Sequence, residues 1–457
     1  MICRRVLGLS LALATAQALS VGCGHGEQHN VTPTGPAGGS LATAPGVTGG
    51  AGSGGQVNTG GASHSGGAAQ ATGGLGTGGS LATGGMSTGA TQSTGGAAAT
   101  GGASSSGGPV TVLETGWFHT CAIVNGGVQC WGKNYSGQMG NGSTTDCLKP
   151  IQVPGLTAGA TALAAGTGHT CAVISGAVQC WGWNGEGQLG NNSTVDSLVP
   201  VQVVGLTAGV TAIDAGSAHT CAIVNGGVQC WGDNASGTLG NNSTQNSRVP
   251  VPVQGLTAGV TALAVGGAHN CALVSGSMQC WGANANGRLG DNSTIERDTP
   301  VQVLGLTSGV TAMGLGYMHS CALVNGSLEC WGDNGLGQLG NSNTSYTNPI
   351  PVPVPGISSG VTAFAGGYMH TCAVVSGRAL CWGYNYDWEL GNNSQTASTS
   401  PVQVQGLTTA VTAIGTGYNY SCAIVNATVQ CWGDNMNGQL GNGSTISGKI
   451  PVQAQLL

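Results

Sequence analysis

Charge is what this chain has least of. Asp, Glu, Lys and Arg together make up 5 % of its 457 residues, with 9 basic against 15 acidic side chains. No basic patch is available to hold a phosphate backbone, which argues against nucleic acid as a partner. Phenylalanine occurs twice. Glu and Lys, which favour helices, are scarce, whereas 87 glycines are spread through runs of Val, Thr and Asn. That balance excludes a helical protein and favours strands and turns. Long apolar runs are also missing: none is long enough for a membrane-spanning helix.

The one short apolar run lies at the N-terminus, in "MICRRVLGLSLALATAQALSVGC". Arg4 and Arg5 precede apolar residues from Val6 to Ala16, followed by small residues, the pattern of an export signal over residues 1–23. Two processing routes stay open. Cleavage after Ala16–Ala18 would release a soluble secreted chain. "LSVGC" instead resembles a bacterial lipoprotein box, with Cys23 as the lipidated residue and an outer-membrane or cell-surface location. Residues 24–108 form a Gly, Ala, Ser and Thr tract with no charge between Glu27 and Glu114. It cannot bury enough apolar surface to offset chain entropy, and a disordered tether of roughly 50 Å span is expected.

From residue 109 to 457 the chain repeats. Removing Arg4, Arg5 and Glu27 from the totals leaves 7 basic and 14 acidic residues there, a net of −7. The first cysteine of a pair falls at 121, 171, 221, 271, 321, 372 and 422, and "HTCAIVNGGVQCWG" occurs word for word at 119–132 and 219–232. Seven copies at a period near fifty point to a propeller or solenoid. Each copy holds four strand-like runs. In the second they are 160–166, 169–174, 177–182 and 199–204. The terminal copies are not polar caps, so an all-β seven-bladed β-propeller of four-stranded antiparallel blades is expected. Contiguous blades are favoured slightly over closure by an exchanged fourth strand.

The cysteine spacing can be read physically. Asn125-Gly126 is a strong signal for a two-residue hairpin turn. That turn sets residue pairs summing to 251, so Cys121 lies opposite Cys130 in a non-hydrogen-bonded pair whose Cα atoms approach closely enough for a disulfide. The same logic pairs Cys171 with Cys180, Cys221 with Cys230, Cys271 with Cys280, Cys321 with Cys330, Cys372 with Cys381 and Cys422 with Cys431. Zinc usually takes closer cysteine pairs, and an exported chain meets an oxidising compartment. Cys3 lies in the signal. Cys23 and Cys147 remain, and Cys147 is a lone thiol if Cys23 is lipidated.

The repeated line "HTCAIVNGGVQCWGxNxxGQLG" resembles the regulator of chromosome condensation (RCC) repeat, and the cysteines resemble its exported bacterial branch. The resemblance covers 109–457 and implies a seven-bladed propeller. The founding nuclear member is a nucleotide exchange factor. An acidic, exported chain without a wedge-like insertion does not invite that role. A secreted seven-bladed inhibitor of β-lactamase is similar in architecture and implies protein binding through one face.

The repeated residues themselves read as scaffold. His119, His169, His219, His269, His319 and His370 occupy one position in six blades, with Tyr420 in the seventh. Equivalent positions in separate blades lie too far apart to share a metal, so these histidines are expected to satisfy backbone groups of their turn. The seven "CWG" tryptophans are expected to pack between blades. No nucleophile–base pair, phosphate loop or acidic calcium loop stands out, so neither catalysis nor a cofactor or metal is expected.

Departures from the repeat carry more information. Before the histidine, blade one has Trp117-Phe118, five Tyr317-Met318, six Tyr368-Met369 and seven Tyr418-Asn419. Blades two, three and four have Thr167-Gly168, Ser217-Ala218 and Gly267-Ala268. In a ring the large residues form one arc. The loop after the third strand should lie on the same face, and there blade six has Tyr384, Tyr386, Asp387, Trp388 and Glu389. Tyr135 and Trp183 fall in the matching loops of blades one and two. Clustered aromatics suggest a partner-binding surface, or else they simply pack on one another. The expected function is a monomeric binding module for a protein partner, with a cell-surface glycan or an inhibitory role as alternatives.

Overall fold

The computed structural model describes residues 108–457. The export signal, Cys23 and nearly all of the glycine-rich tract lie outside the described residues. The rest is seven four-stranded antiparallel sheets, each built from consecutive strands in sequence order. Blade one consists of Val110–Thr115, His119–Val124, Gly127–Gly132 and Cys147–Gln152. Blades two to seven repeat this plan from Ala160, Val210, Val260, Val310, Val361 and Val411. No strand is exchanged between blades.

The hairpin register follows from the turn. Asn125 and Gly126 have φ of 52° and 76°, the positive pair this turn requires. Val124 then pairs with Gly127 and Cys121 with Cys130. All seven predicted disulfides are present, at Cα–Cα separations of 4.0–4.1 Å. Cys147 is a free, half-buried thiol on the outer strand of blade one. The fourth strand of blade two is Ser197–Gln202, shifted two residues earlier than its apolar pattern suggests. Gly182 pairs with Ser197 across a bulge, and Val203 leaves the strand to enter the core.

The core lies between blades. Ile123 and Val128 of blade one, for example, pack with Leu163 and Trp181 of blade two. Each tryptophan reaches back to the preceding blade: Trp181 Nε1 donates to the Gln138 carbonyl at 2.9 Å, and Thr170 Oγ1 donates to the same oxygen. The histidines tie blades forward. His119 Nε2 bonds Thr170 Oγ1 at 3.0 Å, and His169, His219, His269, His319 and His370 each repeat this with a Thr, Asn or Ser of the next blade. The expectation of backbone partners is therefore corrected: the partner is a side chain about fifty residues on, which turn chemistry alone does not disclose.

The ring closes through Tyr420. Its hydroxyl donates to the His119 carbonyl at 2.6 Å and accepts from Thr120 Oγ1. Trp131 Nε1 donates to the Gln439 carbonyl. At the outer rim the Leu457 N–H donates to Gln129 Oε1.

Candidate interaction face

The first strand of each blade lines the central channel. Its C-terminal ends, with the residues that follow, enclose an axial cavity of about 50 Å³. Trp117, Tyr317, Tyr368 and Tyr418 line one end of it. Their rings pack together, at centroid distances of 5.0 Å for Trp117–Tyr418, 4.3 Å for Tyr368–Tyr418 and 5.0 Å for Tyr317–Tyr368. Trp117 also reaches Tyr317 at 5.5 Å, from blade one to blade five. The arc therefore folds inward over the axis as a plug. Buried hydroxyls of Thr115, Ser217 and Thr416, which line the same cavity, have no partner among the described residues.

The two predicted loop sets do share this face. The Phe118 carbonyl accepts the Lys133 N–H, and the Met369 carbonyl accepts the Tyr384 N–H, which links the turn before each histidine to the loop after each tryptophan. Lys133 Nζ lies 4.9 Å from the Phe118 ring and 5.0 Å from the Tyr135 ring. Tyr135 continues to blade two, where a Cβ at Gly168 would touch both the Tyr135 hydroxyl and Trp183. In blade six Tyr384 and Tyr386 stack at 6.5 Å as a separate pair. Met318 Sδ accepts from Asn286 Nδ2 at 3.6 Å. Met369 is half-buried beside Tyr368 in sequence.

Trp388 is placed differently from the rest of its loop. Its φ is +63°, in the left-handed region. The other six blades have glycine there (Gly137, Gly187, Gly237, Gly287, Gly337 and Gly438), each at positive φ. A Cβ on Gly137 would sit 2.7 Å from the Leu198 Cα of the next blade. Trp388 instead lies against blade seven, with Lys449 Nζ 5.6 Å from its ring.

Three large exposed residues share one loop position in consecutive blades: Tyr386 (66 % exposed), Met436 (77 %) and Tyr135 (51 %). Blades two to five have Gly185, Ala235, Ala285 and Gly335 there. Tyr346 (82 %) and Ile446 (78 %) project further, from later in the loops of blades five and seven. Met436 lies outside the aromatic departures of these loops, although it holds the same position as Tyr135 and Tyr386.

The chemistry of the remaining groups is constrained. His119 and His319 are held down to about 4, and His169 and His370 to about 3, by complete burial. The hydroxyl beside each donates to a backbone carbonyl, as Ser421 Oγ does to Glu389 O, so the imidazole is the donor and does not activate a nucleophile. Among the described residues no three His, Cys, Asp or Glu side chains converge as metal ligands.

Residues 161–456 match the RCC1-like domain, and 125–173 and 110–138 match the regulator of chromosome condensation (RCC1) repeat. Human WBSCR16 superposes with a TM-score of 0.65 at 22 % identity, over 72 % of this chain and 93 % of that one. Yeast RCC1 (Prp20), in a crystal structure with Kap60 bound, gives 0.65 at 19 % identity, over 77 % and 85 % of the respective chains. A second Saccharomyces cerevisiae Prp20p structure gives 0.64 at 21 %, over 76 % and 86 %. No curated protein matches the chain. With the repeat, the seven contiguous blades and the domain match in agreement, this chain belongs to the RCC1-like domain family.

Proposed function

We propose that this chain is an exported propeller that binds a protein partner through the loop face of blades six, seven and one, acting as a binding module and not as an enzyme. One observation carries the reading. Tyr386, Met436 and Tyr135 project from one loop position of three consecutive blades beside a packed aromatic plug, and at that position blades two to five have Gly185, Ala235, Ala285 and Gly335. Large apolar and aromatic side chains of this kind anchor protein interfaces. Yeast RCC1 (Prp20), which shares the fold, has been crystallised bound to another protein, Kap60.

Export is supported by the basic and apolar start of the chain, and by seven disulfides that need an oxidising compartment to persist. Cys23 is the proposed anchor, with residues 24–108 as the tether; intact mass of the mature chain distinguishes lipidation from simple cleavage. A glycan is the second reading, favoured by the Tyr384–Tyr386 stack, whose Tyr386 ring is exposed.

The test is affinity capture from the native envelope with the full chain and with a Tyr135→Ala/Met436→Ala/Tyr386→Ala variant. At least a tenfold loss of a captured protein is expected. Equal capture by the variant overturns the reading, and loss of glycan binding alone selects the alternative.

A further inference from the structure

The blade-six loop differs from its six counterparts in charge as well as in bulk. Its penultimate position is Gln138, Gln188, Thr238, Arg288, Gln338 and Gln439 in the other blades, but Glu389 in blade six. Glu389 is fully buried. Its Oε2 accepts the Asp387 N–H at 2.9 Å, whereas Oε1 has no partner among the described residues. In blade seven the equivalent Gln439 Nε2 donates to Asp434 Oδ2 at 2.7 Å. Tyr384 takes the place of that aspartate in blade six, so nothing equivalent can form.

The charges acting on Glu389 are the carboxylates of Asp387, from its own loop, and Asp434, from blade seven. Burial, reinforced by those two charges, pushes it up to about 8. Asp387 is raised too, by burial and by Asp434, although Asn419 Nδ2 donates to it at 2.7 Å. Among the described residues none of these three acids forms a salt bridge; a cation beside the loop, Lys449 of blade seven, stands over the Trp388 ring at 5.6 Å. Beside them stands the Tyr384–Tyr386 stack, with rings inclined by 23° and Tyr386 largely exposed.

Carboxylates that form no salt bridge, next to the exposed Tyr386 ring, are complementary to one protein side chain above others. A guanidinium is flat enough to stack on tyrosine, forks its N–H donors toward carboxylates and keeps its charge when desolvated. We propose that the loops after the third strands of blades six and seven form a receptor for an arginine side chain of a protein partner. The proposal rests on the reading of this face as a protein-binding surface, and it names the partner's chemistry. Asp387 and Asp434 draw the cation, Tyr386 supplies the stacking face, and Glu389 beneath them gives up its proton when the positive charge arrives.

The test uses the full disulfide-bonded chain and two blocked tripeptides, acetyl-Gly-Arg-Gly-amide and its citrulline analogue, which has nearly the same shape but no charge. Tyrosine fluorescence reads binding at pH 7 and pH 9. The arginine peptide is expected to bind at least tenfold more tightly than the citrulline peptide. Its affinity should rise up to about tenfold between the two pH values as Glu389 ionises. Tyr386→Ala should weaken it. Glu389→Gln should abolish the rise with pH while Asp387, Asp434 and Tyr384 stay in place, which isolates the contribution of Glu389. Equal binding of the citrulline peptide, or a pH rise that persists in Glu389→Gln, overturns the proposal. If the peptide fails but the Tyr135/Tyr386/Met436 triple variant still loses its captured partner, the arginine receptor is wrong and the binding face stands. If that variant loses nothing while the peptide behaves as expected, the larger reading fails alone.

Discussion

Blades two, three and four and blades five, six, seven and one share a frame but not a face. Both halves keep the stapled hairpin, the buried tryptophan and the interblade hydrogen bond. They differ where the frame is indifferent: the two residues before the histidine and the loop after the tryptophan. One half carries Thr167-Gly168, Ser217-Ala218 and Gly267-Ala268. The other carries the rings that close over the channel. The cores differ as well. Around the plain half each cluster spans a single interface, whereas one continuous cluster runs through blades six, seven and one and includes the buried Tyr420. The ring is joined where blades one and seven meet, and the variable face is built over that joint.

The largest expected effect treats both halves alike and tests whether the frame is common to them. Burial lowers all six histidines. Below pH 6.5 an unfolded chain takes up protons that the folded ring refuses, so stability is present above that pH and is lost as pH falls toward 4 and 3. Each histidine contributes up to about 1.4 kcal/mol per pH unit across that window. Melting temperature against pH should therefore drop steeply between pH 6 and pH 4. A flat profile there would mean the ring of His–Thr/Ser/Asn bonds is not what ties the blades.

Glu389 separates the halves, with the opposite sign. Its folded pKa is raised, so its stability contribution is full below about pH 4.5 and is lost as pH rises toward 8. Glu389→Gln should raise stability at pH 7 by up to about 3 kcal/mol, with the gain fading at pH 4. Denaturant unfolding at both pH values reads the difference, and a destabilised variant at pH 7 would contradict the unpaired state of Oε1.

Much of the common frame is written in short-range chemistry, which is why it was legible. Asn125-Gly126 dictates the turn, the turn dictates the register, and the register brings Cys121 to Cys130. Seven uncapped copies imply a closed ring. The interblade bonds were not legible, because His119 and Thr170 meet only once two blades are placed side by side. The aromatic departures were visible and lay on the expected face. That Trp117 spans the axis to Tyr317 is a matter of channel width, which no local pattern encodes. Glu389 and Trp388 could be seen as odd residues, but the unpaired oxygen and the positive φ follow from packing alone.

The identical fourteen-residue hairpins of blades one and three allow a matched comparison of the two halves. Removing either disulfide, by Cys121→Ser/Cys130→Ser or by Cys221→Ser/Cys230→Ser, should cost about 2–3 kcal/mol in the loop-closure picture. The two costs should agree to within about half a kcal/mol if the hairpin is pure frame. A clearly larger cost in blade one would show that the plug above it, through Trp117 and Phe118, leans on the hairpin. Chemical denaturation of the two double mutants decides this.

The smallest stability change belongs to Trp388, and there the comparison is sharpest. A bulky residue held at φ +63° costs about 1–2 kcal/mol, which glycine does not incur. Trp388→Gly should regain that amount and lose a contact with Lys449 of about 0.5–1 kcal/mol, so the net change should be a gain of at most about 1 kcal/mol. Blade six would then match the other six blades at this position. Strain kept at one blade, against the glycine of every other, makes sense if the face uses that side chain. Partner capture by Trp388→Gly should therefore fall even as denaturant stability holds or rises. If both capture and stability are unchanged, the tryptophan belongs to the scaffold and the binding surface narrows to Tyr386, Met436 and Tyr135.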